Sequence, residues 1–134
     1  MVITETKPLL ESNNTECLAA STLIALCFES RNKAHIAHLQ TKSYSEHKAL
    51  DDYYNEIILL ADAFAESYEG RCGVIDYFPE IKINATSGLR IVQTVRDWID
   101  KNRDTCGEFS ELQNAIDDIV TLCNSTIYKL VNLK

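Results

Sequence analysis

Apolar residues recur at helical spacing along four separate segments of the chain, and this pattern limits the possible folds more than any other feature. Intervals of three, four and seven residues are typical of an amphipathic helix. In the last segment, one such face carries Leu112, Ile116, Ile119, Val120, Cys123, Ile127 and Leu130. The 134 residues include only four glycines and two prolines, too few for the tight turns of an all-β protein. The pattern predicts an all-α four-helix bundle with short connections.

The predicted domain has a short preceding arm. Residues 1–13 show no periodicity and are interpreted as a polar N-terminal arm. Asn14 or Thr15 can cap a first helix that runs to about residue 39, so residues 14–134 form a single domain.

Capping residues and glycines mark the ends of the later helices. Ser43 followed by Glu46 is a capping box, which predicts the start of the second helix. Gly70 and Gly73 are expected to end that helix. Ser87 is expected to cap a shorter third helix, and the fourth is predicted over residues 108–130.

Composition excludes several classes of protein. The chain has 20 acidic and 13 basic residues, a formal net charge of −7, and no lysine-rich tail, so DNA binding is not expected. No apolar run reaches the 18 or so residues that a membrane-spanning helix requires. The five cysteines contain no CxxC pair, which argues against a zinc ribbon or a disulfide framework. Free thiols and the lack of a secretion signal predict a cytoplasmic protein.

Three histidines and three acids form the pattern with the clearest chemistry. The histidines are His35, His38 and His47, and the acids that follow are Asp51, Asp62 and Glu66. At about 100° per residue, the acids lie roughly 40°, 60° and 100° around the second helix from the last histidine, along one border of its apolar stripe. Carboxylates beside a core are costly unless they are paired or bind a metal. Histidine and carboxylate ligands together suit iron, zinc or manganese.

One distance decides how such a site can be built. His47 and Asp62 are 15 residues apart on one helix, or roughly 22 Å along its axis. They cannot hold the same ion within one chain. Either the two ends are separate, or a second copy lies antiparallel and brings histidine to acid. A two-fold dimer makes both pairings at once, which predicts two symmetric sites at the subunit boundary.

These residues resemble a known family. The run H-K-A-L-D-D-Y-Y-N-E, followed by D-A-F-A-E and Gly70, is similar to the second helix of Dps-type miniferritins, where a histidine is followed by acids four, fifteen and nineteen residues later. The preceding run A-H-I-A-H-L-Q-T is similar to the end of that family's first helix. The interval from His38 to His47 is nine residues, three shorter than usual in the family, and Leu39 occupies the position of a common tryptophan. Small ferritin-like proteins of tailed phages are trimmed in a similar way, so a phage source is one interpretation.

The resemblance implies a ferritin-like bundle with a ferroxidase centre shared between two subunits. His38, His47 and Asp51 would come from one subunit, and Asp62 and Glu66 from the other, with Fe(II) oxidised by hydrogen peroxide or dioxygen. His35, twelve residues before His47, would be a companion histidine or the alternative first-helix ligand. The family forms a hollow twelve-subunit shell that stores ferric iron, with zinc or manganese as substitute metals. The alternative hypothesis is a catalytically inactive helical scaffold or partner-binding protein.

Overall fold

Four helices make up the computed structural model, which describes the backbone of residues 7–134 and the side chains from residue 15 onward. Their bounds are α1 Lys7–Gln40, α2 Tyr44–Cys72, α3 Gly88–Asn102 and α4 Ser110–Asn132. A single 3₁₀ turn, Arg103–Thr105, lies between α3 and α4. The prediction of an all-α four-helix bundle is confirmed.

The helices pack in a ring around one core. Helix α1 contacts α2 and α3, and α4 contacts the same two helices from the opposite corner. All four contribute fully buried side chains, the largest of which include Tyr53, Phe64, Leu23, Ile91 and Ile116. Because α1 and α2 pack along much of their length, the residues of the predicted histidine cluster come from two neighbouring helices. Among the described residues, no helix is both long and apolar enough to cross a membrane.

The predicted serine caps are present in the structure. The Ser43 hydroxyl accepts a hydrogen bond from the Glu46 amide at 3.3 Å, and the Ser87 hydroxyl accepts one from the Arg90 amide at 3.2 Å. Each bond satisfies an amide that has no acceptor within its own helix. Helix α2 ends at Cys72 and is capped by Gly73, whose φ of +99° favours glycine, whereas Gly70 lies inside the helix. The caps therefore define the starts of α2 and α3 as the sequence predicted.

The start of α1 differs from the sequence-based expectation, because residues 14 and 15 lie inside the helix and do not cap it. Helix α1 begins at Lys7, so residues 7–13 of the predicted arm are helical, and residues 1–6 lie outside the described residues. Pro8 is compatible with this start because the first-turn amides of a helix have no intrahelical acceptor. The connection over residues 73–87 lies between the glycine and the serine that the sequence predicted as helix ends, although it is not a short joint of the kind expected for the bundle as a whole. It is held to the bundle by the buried side chains of Ile75 and Ile83.

The turn between α3 and α4 is held by one glutamine. The Gln113 side-chain amide donates to the Arg103 carbonyl at 2.9 Å and to the Gly107 carbonyl at 2.7 Å. The Arg103 guanidinium in turn donates to the Gln113 side chain and pairs with Asp117. Gly107 has a φ of +108°, and a Cβ there would lie 2.6 Å from the Leu112 Cδ1 atom. The turn therefore requires glycine on both conformational and steric grounds.

Gly107→Ala is expected to lower the free energy of unfolding by about 1–3 kcal/mol, since it combines a strained φ with a core clash. Gly70→Ala is the matched control, because a Cβ at Gly70 meets nothing within 4 Å and the residue is helical. It should be neutral or stabilise the chain by about 0.5–1 kcal/mol. Urea unfolding followed by circular dichroism measures both, and equal effects of the two variants would contradict the prediction.

Candidate functional site

Two stacked histidines join the end of α1 to the beginning of α2. The ring centroids of His38 and His47 are 3.6 Å apart, and the ring planes differ by 19°. His38 Nδ1 lies 2.7 Å from the His47 carbonyl oxygen, and His47 Nδ1 lies 2.8 Å from the His38 carbonyl oxygen. Each imidazole is therefore hydrogen-bonded to the backbone of the other residue. His38 is buried, and His47 is half-buried.

The reciprocal bonds fix the tautomer of both rings. A carbonyl oxygen only accepts hydrogen bonds, so Nδ1 of each ring carries the hydrogen and, in the neutral ring, Nε2 keeps its lone pair. The His38 carbonyl lies in the last turn of α1, where carbonyls lack an intrahelical donor, and His47 supplies the missing hydrogen. Metal-binding histidines are usually oriented in this way, with the non-ligating nitrogen donating to a carbonyl or carboxylate. The pair therefore has two Nε2 atoms whose orientation is fixed by the bonds at Nδ1.

Asp51 lies one helical turn after His47 and is held in its ionised form. A hydrogen bond from the Tyr54 hydroxyl is the main cause that lowers the pKa of the Asp51 carboxyl, and nearby His38 adds a smaller lowering effect. The Asn55 side-chain amide also donates to the Asp51 carboxylate, at 3.3 Å. An ionised carboxylate thus lies near the two stacked imidazoles, although the three groups do not converge on one metal position within the described chain.

His35 stacks on Tyr54, whereas His38 and His47 each bond a backbone carbonyl. Its ring stacks on Tyr54 with centroids 4.0 Å apart and planes 11° apart, and its ring centroid is 5.8 Å from that of His38. The Arg31 guanidinium lies 5.3 Å from the centroid of the Tyr54 ring. No hydrogen bond to the backbone of a described residue orients His35, so His38 is the better-oriented of the two α1 histidines.

The two distal acids of the predicted set lie elsewhere on α2. Asp62 and Glu66 are both exposed, one helical turn apart, and neither forms an ion pair with a described residue. The axial distance from His47 is roughly 22 Å to Asp62 and 28 Å to Glu66. Within the portion whose side chains are described, no three histidine, cysteine or acidic residues converge on a metal position in one chain. The structure thus brings His35, His38, His47 and Asp51 together and leaves the distal acids apart, as the helix length required.

Tyr54 is the residue whose role the sequence did not reveal. Its place in the apolar pattern of α2 predicts only a packing residue with a polar tip, and it is indeed almost fully buried. Its hydroxyl, however, bonds Asp51, and its ring contacts both His35 and His38. The available signal was its position three residues after Asp51, because side chains at that spacing meet on a helix surface.

The tautomers of His38 and His47 can be measured directly. We expect both rings to be protonated at Nδ1 in the neutral state, the reverse of the form that free histidine prefers. Long-range ¹H–¹⁵N spectra at mildly alkaline pH distinguish the two nitrogens. His35, which has no such bond, is the internal reference. Protonation at Nε2 in either His38 or His47 would contradict the hydrogen-bond assignment.

Tyr54→Phe is expected to raise the pKa of Asp51, because the lost hydroxyl stabilised the carboxylate. The hydroxyl bond favours folding only while Asp51 is ionised. The stability difference between the variant and the parent should therefore be full above about pH 4 and shrink as Asp51 is protonated at lower pH. Carboxyl ¹³C titration gives the pKa, and Tyr68→Phe on the same helix is the control. An unchanged Asp51 pKa would count against the hydrogen bond.

Comparison with known proteins finds a relative encoded by a bacteriophage. It is 30% identical over 112 residues to an uncharacterized 14.6 kDa protein from the mobD-ri intergenic region of Enterobacteria phage T4, a match that covers 83% of this chain and 87% of the phage protein. This relative is compatible with the phage source considered from the sequence. No solved structure matches the chain. The model of a family of unknown function, DUF5856, matches residues 38–130, from the first stacked histidine to the end of α4, and the chain belongs to that family.

Proposed function

We propose that this protein binds Fe(II) and oxidises it at a site shared between two copies, as a small ferritin-like bundle that stores or detoxifies iron. One copy supplies His38, His47 and Asp51, and the second supplies Asp62 and Glu66. His35 lies behind the first group and packs on Tyr54. Iron is the substrate, and zinc or manganese would bind the same donors. Assembly beyond the dimer, into a closed shell, belongs to the same proposal.

The stacked histidine pair is the observation that carries this proposal. Two hydrogen bonds of 2.7 and 2.8 Å hold the rings with both Nε2 atoms unbonded among the described residues. A histidine pair with a purely structural role would need a hydrogen bond at only one ring nitrogen. Here both rings bond a carbonyl through Nδ1, so both have the tautomer protonated at Nδ1. That tautomer is the one that metal coordination through Nε2 requires.

The acids supply the remaining ligands and the charge. Asp51 is kept ionised beside the histidines, and exposed Asp62 and Glu66 have no cationic partner among the described residues. Carboxylate oxygens are ligands that iron accepts, and their negative charge stabilises Fe(III) more than Fe(II). An antiparallel second copy adds its distal acids to the histidine end, so the donor set becomes three carboxylates and two imidazoles.

The proposed reaction has a simple balance. Two Fe(II) ions each lose one electron, and hydrogen peroxide accepts the two electrons and two protons. Its O–O bond breaks, and two water molecules form. Dioxygen is the alternative oxidant, and it accepts four electrons and four protons in its reduction to two waters. The protein's part is to hold the ions beside ionised carboxylates, where loss of an electron is favoured.

Anaerobic Fe(II) titration followed by hydrogen peroxide tests the proposal. We expect saturable Fe(II) binding and oxidation, measured by absorbance near 300 nm, at least about tenfold faster than in buffer. His47→Ala and Glu66→Gln should each reduce the rate by about 10–100-fold, as loss of a ligand or its support commonly does. Glu56→Gln is the matched control, because it removes an exposed α2 acid outside the ligand set.

The control and the ligand variants together decide between the two hypotheses. Equal losses in Glu56→Gln and Glu66→Gln would point to general acidic charge in place of a defined site. A rate equal to that of buffer for the unmodified protein would reject iron oxidation. It would favour the alternative of a helical scaffold that binds another partner.

A further inference from the structure

A cleft lies between an exposed side of α1 and the connection that leads from α2 to α3. It has a volume of about 340 Å³, near the lower end of the range for ligand pockets. Apolar and acidic side chains border it together, and they include Phe28, Glu29 and Asn32 of α1 and Phe78, Pro79 and Glu80 of the connection. None of these residues is a ligand in the proposed iron site, so the cleft is a separate feature of the molecule.

The connection holds its side of the cleft from both ends. Ile75 and Ile83 are buried in the core, one before and one after the cleft residues, and Ile81 packs partly against the same core. The ring of Pro79 also fixes one backbone angle in the segment between them. The wall formed by residues 78–80 is therefore held in place without a partner, which lowers the entropy cost of binding one.

Two phenylalanine rings form part of the cleft wall and remain accessible to solvent. Phe28 is 37% exposed and Phe78 is 47% exposed. Among the described residues, neither ring contacts another aromatic ring or lies beneath a cationic side chain. The face of an aromatic ring is negative, so it attracts a cation as well as apolar groups. The two rings thus suit a ligand that carries a cation on an apolar stem.

Two carboxylates border the same cleft. Glu29 is half-buried and Glu80 is exposed, and neither forms an ion pair with a described residue. Lys33, one helical turn from Glu29, and Lys82, two residues after Glu80, are not paired with them either. A half-buried carboxylate has lost part of its hydration, so it gains more from a cation than a fully exposed one does. The charge of the cleft therefore selects a cationic ligand.

The same chain holds an arginine with a matching pair of groups elsewhere. Phe109 and Glu111 are separated by one residue at the start of α4. The Arg71 guanidinium lies 4.1 Å from the Phe109 ring centroid, and its Nη2 atom lies 2.7 Å from Glu111 Oε1. Arginine suits such a pair because its flat guanidinium stacks on a ring while its N–H groups bond a carboxylate. Phe78 and Glu80 have the same spacing in the connection, but no arginine of this chain borders their cleft.

We propose that this cleft is the docking site for an arginine side chain presented by a partner protein. The guanidinium of that arginine lies against Phe78 and pairs with Glu80, in the arrangement that Arg71 has at the start of α4. Phe28 and Glu29 border the α1 side, where they contact the aliphatic stem and supply a second carboxylate. The five N–H donors of a guanidinium are enough to bond both carboxylates.

The surroundings of the cleft favour an arginine on a protein over a small free cation. Exposed apolar side chains continue beyond the cleft on the same connection, where Val74 is 84% exposed and Tyr77 is 60% exposed. A small guanidinium compound would leave this apolar surface in water, whereas a protein segment covers it with the neighbours of its arginine. Arginine and aromatic residues are also the side chains enriched at the centres of protein interfaces.

A second copy of this chain is a poor source of that arginine. Four of its five arginines already have partners within the chain: Arg31 lies over a tyrosine ring, and Arg71, Arg96 and Arg103 each form an ion pair with an acid. Moving one of them into the cleft of another copy would break an existing contact. A different, arginine-bearing protein has no such cost.

An NMR titration with three blocked pentapeptides tests the site in the absence of iron. The peptides read glycine, leucine, X, leucine, glycine, where X is arginine, lysine or citrulline. We expect the arginine peptide to shift the amide signals of Phe28, Glu29, Phe78 and Glu80 saturably, and to bind about fivefold more tightly than the other two. Lysine keeps the charge without the flat stacking group, and citrulline keeps the flat group without the charge.

Variants of the connection separate the cleft from general charge and apolar surface. Phe78→Ala and Glu80→Gln should each weaken binding of the arginine peptide by about fivefold to tenfold. Tyr77→Ala and Asp76→Asn are the matched controls, because they remove an aromatic ring and an acid from the same connection outside the cleft. All four side chains are exposed, so the circular dichroism spectrum should not change.

Several results would overturn the proposal. These are no shift of the cleft amides at about 10 mM arginine peptide, equal affinity for the three peptides, and equal losses in the cleft variants and their controls. Shifts of the same amides with protein concentration alone, abolished by Phe78→Ala, would assign the cleft to a second copy and reject a different partner protein. Because no part of the experiment uses iron, its outcome is independent of the Fe(II) oxidation test.

Discussion

The reciprocal hydrogen bonds between His38 and His47 are the interaction on which the candidate site depends. They satisfy a carbonyl at the end of α1, orient two imidazoles, and connect the two helices at their turn. A histidine that served only one of these purposes could be replaced by other donors. Because one pair of contacts serves all three, the orientation of the two imidazoles is a consequence of the way the helices are joined.

The same contacts, with the buried bond between Ser30 and Tyr53, set the register of α1 on α2. Register matters here because it decides which residues of α2 lie beside the α1 histidines. A shift of one turn between the helices would move His38 about 5 Å from its present level on α2 and break its contacts with His47 and Tyr54. The intramolecular packing therefore determines the surroundings of both imidazoles.

Much of the fold was predictable because its signals are local. Ser43 and Ser87 cap their helices through bonds to amides three residues away, so a short stretch of sequence contains the whole interaction. The start of α1 was missed because Pro8 and its neighbours show no apolar periodicity, although a first turn tolerates proline. Gly73 and Ser87 predicted the bounds of the connection at residues 73–87, but not its anchoring by Ile75 and Ile83, because the burial of those side chains depends on tertiary packing.

In the candidate site, too, some features follow from local sequence and others from tertiary packing. Residue identity and spacing alone determined that His47, Asp51, Asp62 and Glu66 lie on one side of α2 and that one chain cannot gather them, since helix rise fixes distance along an axis. Only the tertiary structure decided that His38, and not His35, is oriented by a backbone carbonyl, and that Tyr54 holds Asp51. The reason is physical: spacing along a helix follows from bonded geometry, whereas the partner of a side chain depends on how two helices pack.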